Sequence, residues 1–146
     1  MTGPNPGFYS LQNIQSHGII TAQTNSGISM PGEIVKTDRD ANSLFPEQSK
    51  LVVSQSSDGL YSFRNLSTRM WIGTGLDKDG NPAVVWTMAQ HLWNVEPVGP
   101  GYWSISVPGA TDSFWYDNVV VGDTCSEILL KGDKTLVQCK WFFIAA

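Results

Sequence analysis

Short runs of β-branched and aromatic residues recur along the chain and alternate with stretches rich in Gly, Pro, Asn, Asp and Ser. Clear examples are the runs at 18–22, 51–53, 83–87 and 141–144. Runs of this kind, bounded by residues that favour turns, are typical of β-strands. No segment keeps a 3.6-residue apolar period for ten positions, which would be needed for a helix. The pattern therefore predicts an all-β protein.

The same local signatures occur three times. One consists of a glycine, a large apolar residue, an aromatic residue, a serine and another apolar residue, and it stands at 7–11, 59–63 and 101–105. The other is a glutamine followed three positions later by a large apolar residue: Gln48 with Leu51, Gln90 with Trp93, and Gln138 with Trp141. Eleven positions separate Gln48 from Gly59, and eleven again separate Gln90 from Gly101. Matched signatures in phase indicate three copies of one structural unit.

Each unit is predicted to contain four strands. The expected strands are 8–14, 18–23, 33–37 and 50–55; then 60–66, 70–74, 83–87 and 92–96; then 102–107, 113–117, 127–131 and 140–145. Twelve short strands in three copies predict a closed barrel with pseudo-threefold symmetry, because closure removes unpaired strand edges. We therefore expect a single β-trefoil domain over 1–146, with repeats at about 7–58, 59–100 and 101–146.

The glutamine signatures resemble the Q-x-x-W repeats of ricin-B-type β-trefoils, with Leu51 where the first repeat would carry its tryptophan. The resemblance runs from Gly7 to Ala146. The opening signature and the lack of paired cysteines are most similar to small fungal members, a group that includes lectins and the protease inhibitors called mycocypins, cospins and cocaprins. Small size and an acidic balance suit the cocaprin-type inhibitors of cysteine and aspartic proteases. The resemblance thus implies a binding protein whose function lies on its loops.

Composition removes several classes of function. The net charge is -4 and the nine basic residues are scattered, so no patch for nucleic acid is expected. No apolar run is long enough for a membrane span. The segment 1–7 lacks the features of a signal peptide, which predicts a cytoplasmic protein with Cys125 and Cys139 reduced.

An enzyme is not expected, because few titratable groups converge and no catalytic motif is present. His91 lies within a glutamine signature, which favours a structural role, and His17 sits at a turn between Ser16 and Gly18. The segment 77–82 has part of the composition of a calcium loop but lacks the closing glutamate, so we interpret it as a β-turn. No metal and no cofactor are predicted.

A sugar site of the ricin type calls for an aspartate in the second strand of a repeat, followed by an aromatic platform and an asparagine near the glutamine. The first repeat has Thr21 at the aspartate position, and the second has Gly73 or Thr74. The third has Asp117, preceded by Trp115 and Tyr116, but lacks the later partners. One degenerate site keeps a carbohydrate-binding lectin open as the alternative function.

The loop lengths favour an inhibitor. The first repeat carries the longest insertion, and its loop between the second and third strands contains Asn25, Ser26, Gly27, Ile28, Ser29 and Met30. Ile28 or Met30 would suit the apolar pocket of a papain-like protease, and Gly27 would allow close approach of the backbone. In the cocaprin-like and cospin-like inhibitors the corresponding loop is inhibitory.

A second candidate loop holds Leu44 and Phe45, an apolar pair of the kind that an aspartic protease cleft accepts. We favour the alternative for this pair, that it folds back as a cover over the barrel. We therefore expect a reversible inhibitor of papain-like cysteine proteases first and of aspartic proteases second. Pairing into a homodimer stays open.

Overall fold

The computed structural model describes residues 3–24, 27–40 and 46–146. Within these residues lie fourteen strands and two short 3-10 helices, the latter over Pro46–Ser49 and Val137–Cys139. The strands are β1 (Gly7–Asn13), β2 (Ile19–Thr21), β3 (Gln23–Thr24), β4 (Gly27–Ile28), β5 (Lys36–Asp38), β6 (Leu51–Gln55), β7 (Tyr61–Asn65), β8 (Trp71–Leu76), β9 (Pro82–Thr87), β10 (Asn94–Gly99), β11 (Tyr102–Ser106), β12 (Phe114–Asn118), β13 (Cys125–Lys131) and β14 (Trp141–Ala145).

Six strands form the barrel. β1 pairs with β6 and β14, β6 pairs with β7, and β11 pairs with β10 and β14. Tyr61 and Trp93 close the ring, since each backbone N–H donates to the other residue's carbonyl at 2.8 and 2.7 Å. These are the first and last strands of the three predicted repeats.

The remaining strands of each repeat form three antiparallel pairs that cap one end of the barrel. They are β2 with β5, β8 with β9, and β12 with β13. The pairs meet through β13, which contacts both β5 and β9, and through the bridge between Ile34 and Val85. Residues that are distant in sequence therefore become neighbours where two pairs adjoin.

The predicted β-trefoil is confirmed, with twelve strands in the main sheet. Each predicted strand has a counterpart, with ends that differ by up to about three residues. The difference lies in the first repeat, where a loop was expected between the second and third strands. Part of that loop is instead the two-stranded ribbon of β3 and β4, in which Gln23 faces Ile28.

The core repeats the sequence signatures. Equivalent positions of the three units are fully buried and fill the barrel in layers: Leu11, Phe63 and Ile105; Leu51, Trp93 and Trp141; Ile20, Ile72 and Trp115. The indole N–H of Trp93 donates to the Ile72 carbonyl at 2.9 Å, and that of Trp141 donates to the Trp115 carbonyl at 3.1 Å. Leu51, at the equivalent position of the first repeat, has no side-chain N–H, so its side chain packs there through apolar contact alone.

Candidate functional site

The predicted inhibitory loop is only partly within the described residues. Asn25 and Ser26, and also Leu44 and Phe45 of the second candidate loop, lie outside them. Gly27 and Ile28 form β4, and the side chains of Ile28 and Met30 are 52% and 63% exposed.

The end of this segment folds back onto the protein. Ser29 is buried, and its backbone N–H donates to the Ala22 carbonyl at 2.6 Å. Gly27 and Ile28 also line a cavity of about 300 Å³ together with Gln23, Glu47 and Gln48. A ligand-binding role for Gly27, Ile28, Ser29 and Met30 stays a prediction.

Asp117 is not available for a sugar. Its carboxylate is fully buried and accepts three hydroxyl hydrogen bonds, from Ser16 at 2.5 Å, Thr37 at 2.9 Å and Ser126 at 2.5 Å. A buried carboxylate with this many donors is already satisfied. The candidate aspartate of the third repeat therefore joins hairpins of the cap and does not face solvent.

The two aromatic residues before Asp117 also differ from a free platform. Trp115 is fully buried and packs edge-on against Trp93, with 5.2 Å between ring centroids. Tyr116 is half-buried, and the Lys131 ammonium lies 4.5 Å from its ring centroid. On the outer face of the second repeat, the His91 ring packs against Gly73 so closely that a Cβ there would lie 2.7 Å from its Cδ2 atom. In the second repeat His91 thus occupies the space beside Gly73, and in the third Trp115 is inaccessible while Tyr116 is half-buried.

A larger opening lies where the three pairs of cap strands meet. It is a cleft of about 470 Å³, which is within the range of roughly 300–1,000 Å³ typical of small-molecule sites. Its lining comes from all three pairs: Lys36, Lys78, Asn118, Val120, Asp123, Thr124, Cys125, Ser126 and Glu127. We call it the inter-hairpin cleft.

The inter-hairpin cleft is polar and balanced in charge. Lys36 and Lys78 contribute positive charge, while Asp123 and Glu127 contribute negative charge. None of these four belongs to an ion pair within the described part of the chain, although Lys36 and Glu127 are paired in register across β5 and β13. The side chains therefore present ammonium donors and carboxylate acceptors beside the Asn118 amide.

Arg39 fixes one wall of the cleft. Its backbone N–H donates to the Thr124 carbonyl at 2.7 Å, and its guanidinium donates to the Ser126 hydroxyl at 3.0 Å. The guanidinium also donates to the Asp123 carbonyl. These contacts continue the pairing of β5 with β13 and hold the segment before β13 in place.

The two cysteines are free thiols in different surroundings. Cys139 is buried, and burial raises the pKa of its thiol to about 12. Cys125 is half-buried in the cleft wall, where desolvation and then the neighbouring Asp38 carboxylate raise its thiol pKa above the ordinary value. Both thiols are protonated at neutral pH, and Cys125 is the one that a reagent in the cleft would meet.

Among residues 3–24, 27–40 and 46–146, no group of three or more His, Cys, Asp and Glu side chains is arranged to hold a metal ion. The same residues include no helix of the length and apolarity that crossing a bilayer requires. The segment 77–82 forms the expected turn between β8 and β9, with the Gly80 N–H donating to the Asp77 carbonyl at 3.1 Å.

Sequence analysis missed the inter-hairpin cleft. Its residues lie on three hairpins that only the folded cap brings together, and no spacing along the chain relates Lys36 to Lys78 or Asn118. One local signal was available: the three consecutive valines at 119–121 are unusual at a turn between two strands.

Comparison with known proteins shows the fold. No protein-family model matches the sequence, and no curated protein matches it. Among solved structures, an agglutinin from Rhizoctonia solani has a TM-score of 0.77 at 12% identity, over 100% of this chain and 99% of that chain. A ricin B-like lectin from Macrolepiota procera, solved with lactose, has a TM-score of 0.71 at 11% identity, over 100% of both chains.

A third similar structure is an enzyme. It is an endo-β-galactosidase from Clostridium perfringens that releases GlcNAcα1-4Gal, with a TM-score of 0.70 at 12% identity. The match covers 95% of this chain but only 32% of that chain, so most of the enzyme has no counterpart here.

The prediction of a protease inhibitor is corrected by these findings. The structures that share both fold and length with the chain include an agglutinin and a ricin B-like lectin solved with lactose, and none of the similar structures named above is a protease inhibitor. They favour the alternative that the sequence left open, a carbohydrate-binding lectin, and protease partners gain no support from them. The inhibitor hypothesis relied on a family resemblance, on loop length and on apolar loop residues, and a shared fold with such loops does not by itself decide what a protein binds.

Proposed function

We propose that this chain is a carbohydrate-binding protein of the ricin-B-like lectin type and that the inter-hairpin cleft is its saccharide site. The observation that carries the proposal is the cleft itself, a polar opening of about 470 Å³ built by three separate hairpins. Structural likeness to a lectin solved with lactose is a second support.

The side chains of the cleft suit a neutral sugar. Sugar hydroxyls donate and accept hydrogen bonds at once, so a sugar site needs both kinds of partner. Lys36 and Lys78 donate, Asp123 and Glu127 accept, and the Asn118 amide does both. Because the two positive and two negative charges cancel, a charged sugar gains no net attraction over a neutral one.

The proposed activity is binding without a chemical step. Glu127 and Asp123 are the carboxylates of the cleft, and a glycosidase needs two carboxylates on opposite sides of the scissile bond. Asp123 is exposed and Glu127 is half-buried, and both belong to the segment 118–127 of the third repeat. We therefore assign both carboxylates to hydrogen bonding with sugar hydroxyls.

A glycan array followed by titration tests this function. We expect wild-type protein to bind neutral saccharides, with array hits reproduced by isothermal titration. Asn118→Ala, which removes an amide from the cleft, should weaken binding by about tenfold, the effect of losing one or two hydrogen bonds to a desolvated ligand.

Asn5→Ala is the matched control. Asn5 is exposed, and its backbone carbonyl, which the substitution keeps, accepts a hydrogen bond from Tyr9. It does not line the cleft, so its removal should leave affinity unchanged. An array without hits, or equal loss in both variants, would contradict the proposed site.

A further inference from the structure

Three consecutive valines stand at the turn between β12 and β13, and the middle one lines the inter-hairpin cleft. Val119 is 41% exposed, Val120 is 53% exposed and Val121 is 99% exposed. Val120 also lines the cleft. Apolar residues clustered at an exposed turn mark a surface that contacts something else, because water alone does not favour them there.

The turn that carries the valines is closed by its own hydrogen bonds. The Asp123 N–H donates to the Val120 carbonyl at 3.1 Å, and Gly122 takes a φ of +92°, which suits glycine. The guanidinium of Arg39, the residue directly after β5, donates to the Asp123 carbonyl. The apolar turn is therefore fixed in its exposed position before any ligand arrives, and little ordering is needed on binding.

A second apolar side chain belongs to the adjoining hairpin. Leu76 is 64% exposed at the end of β8, two positions before Lys78, which lines the cleft. Leu76 is thus a second exposed apolar side chain on a hairpin that contributes to the cleft. We call Val119, Val120 and Val121, of which Val120 lines the cleft, the apolar rim.

We propose that the apolar rim is an aglycone subsite, so that the cleft binds a saccharide joined to an apolar group. This inference rests on the proposed function, since it needs a sugar in the cleft. The sugar hydroxyls meet the polar interior, and an alkyl or acyl chain attached at the reducing end lies across Val120 and Val121. The ligand class is an amphiphilic glycoside.

Paired glycosides test the aglycone subsite directly. The probes are the methyl and octyl β-glycosides of galactose, glucose, mannose and N-acetylglucosamine, below the concentrations at which the octyl compounds form micelles. We expect at least one sugar to bind in both forms, with the octyl form about tenfold tighter because its chain covers apolar surface of the rim.

Variants assign that gain to the rim. Val121→Asp should bind the methyl glycoside as wild type does, while the octyl preference falls to less than about threefold. Val137→Asp is the matched control: Val137 is 44% exposed but lies on the 3-10 helix over Val137–Cys139, outside the cleft. It should keep the full octyl preference.

The outcomes separate the two proposals. Binding of neither form, with no array hit, would overturn the proposed function. Equal binding of methyl and octyl forms, or an octyl preference that survives Val121→Asp, would overturn the aglycone subsite and leave the saccharide site standing.

A second experiment decides whether the amphiphilic glycoside is a membrane glycolipid or a soluble compound. Phosphatidylcholine vesicles with and without lactosylceramide are mixed with protein and sedimented. Cosedimentation only with the glycolipid, lost in Val121→Asp, supports a membrane glycolipid as the source. Octyl preference without cosedimentation supports a soluble amphiphilic glycoside, and cosedimentation with plain vesicles would contradict recognition through the sugar.

Discussion

Two asparagines in equivalent turns show how single residues hold the repeats together. Asn13 ends β1, and its amide donates to the Gln138 carbonyl at 2.9 Å while its oxygen accepts from two backbone N–H groups. Asn65 ends β7 and makes the same three contacts, with the Gln48 carbonyl at 2.8 Å. The third repeat has Val107 at this position and a turn that uses Gly109 instead.

Asn65→Ala is predicted to destabilise the fold by about 2 kcal/mol or more. The substitution removes the shared acceptor of the Ser67 and Thr68 N–H groups, while the Gln48 carbonyl loses one donor and keeps its bond from the Ala22 N–H. Each hydrogen bond lost at this partly buried turn carries a cost. Denaturant unfolding measures the effect. Asn81→Ala is the control, because the Asn81 amide lies in an exposed turn and donates to the Asp77 carboxylate; its loss should lower the unfolding free energy by less than about 1 kcal/mol. Equal losses of unfolding free energy in the two variants would contradict a special contribution from the buried Asn65 side chain.

Cys139 predicts a dependence of stability on alkaline pH. Burial raises its thiol pKa from 9.0 to about 12, so the unfolded chain loses this proton first as pH rises. Stability from this thiol is intact below pH 9 and falls between pH 9 and 12, by up to about 1.4 kcal/mol per pH unit.

Unfolding free energies at pH 7, 9 and 10.5 test this for wild type and for Cys139→Ala. The variant is less stable throughout because of its cavity, but its stability should fall less between pH 9 and 10.5. Parallel pH profiles would show that the thiol does not titrate as described.

At the scale of elements, the segment between β12 and β13 depends on Arg39. The guanidinium donates to the Asp123 carbonyl and to the Ser126 hydroxyl, and no other side chain of the described residues donates to the Asp123 carbonyl. Arg39→Ala should therefore loosen the wall of the inter-hairpin cleft, with amide hydrogen exchange at Asp123 accelerated roughly tenfold or more, the effect of losing a hydrogen bond to a charged group.

Arg64→Ala is the control for this prediction. Arg64 stacks on Trp71 at 4.9 Å and donates to the Arg69 carbonyl, away from the cleft. Its loss should leave exchange at Asp123 unchanged. Acceleration in both variants would indicate general loss of stability.

The sequence predicts regular elements well and their contacts poorly. Strand periodicity and the glycine and glutamine signatures located all four strands of each repeat. They succeeded because equivalent positions of the three repeats, such as Leu11, Phe63 and Ile105, are buried in the same core. The β3–β4 ribbon was not predicted, since two-residue strands leave no periodicity. The burial of Asp117, which the sequence offered as part of a degenerate sugar site, was not predicted because its hydroxyl partners are 9 to 101 positions away.

At the scale of the whole molecule, near-equal repeats build the barrel, and their differences build the cleft. Tryptophan, phenylalanine and leucine fill equivalent core positions, while the cap segments carry different residues: Lys36 in the first repeat, Lys78 in the second, and 118–127 in the third. The three repeats thus contribute different residues to the inter-hairpin cleft. The proposed saccharide site therefore exists only in the assembled cap.

Nuclear magnetic resonance titration of the labelled protein with the strongest array saccharide tests this account most directly. The account predicts that the amides of Lys36, Asn118, Thr124 and Glu127 shift together and saturably, with one dissociation constant. Shifts confined to the outer face around Tyr116 and Lys131, or to the β3–β4 ribbon, would contradict the inter-hairpin cleft as the saccharide site.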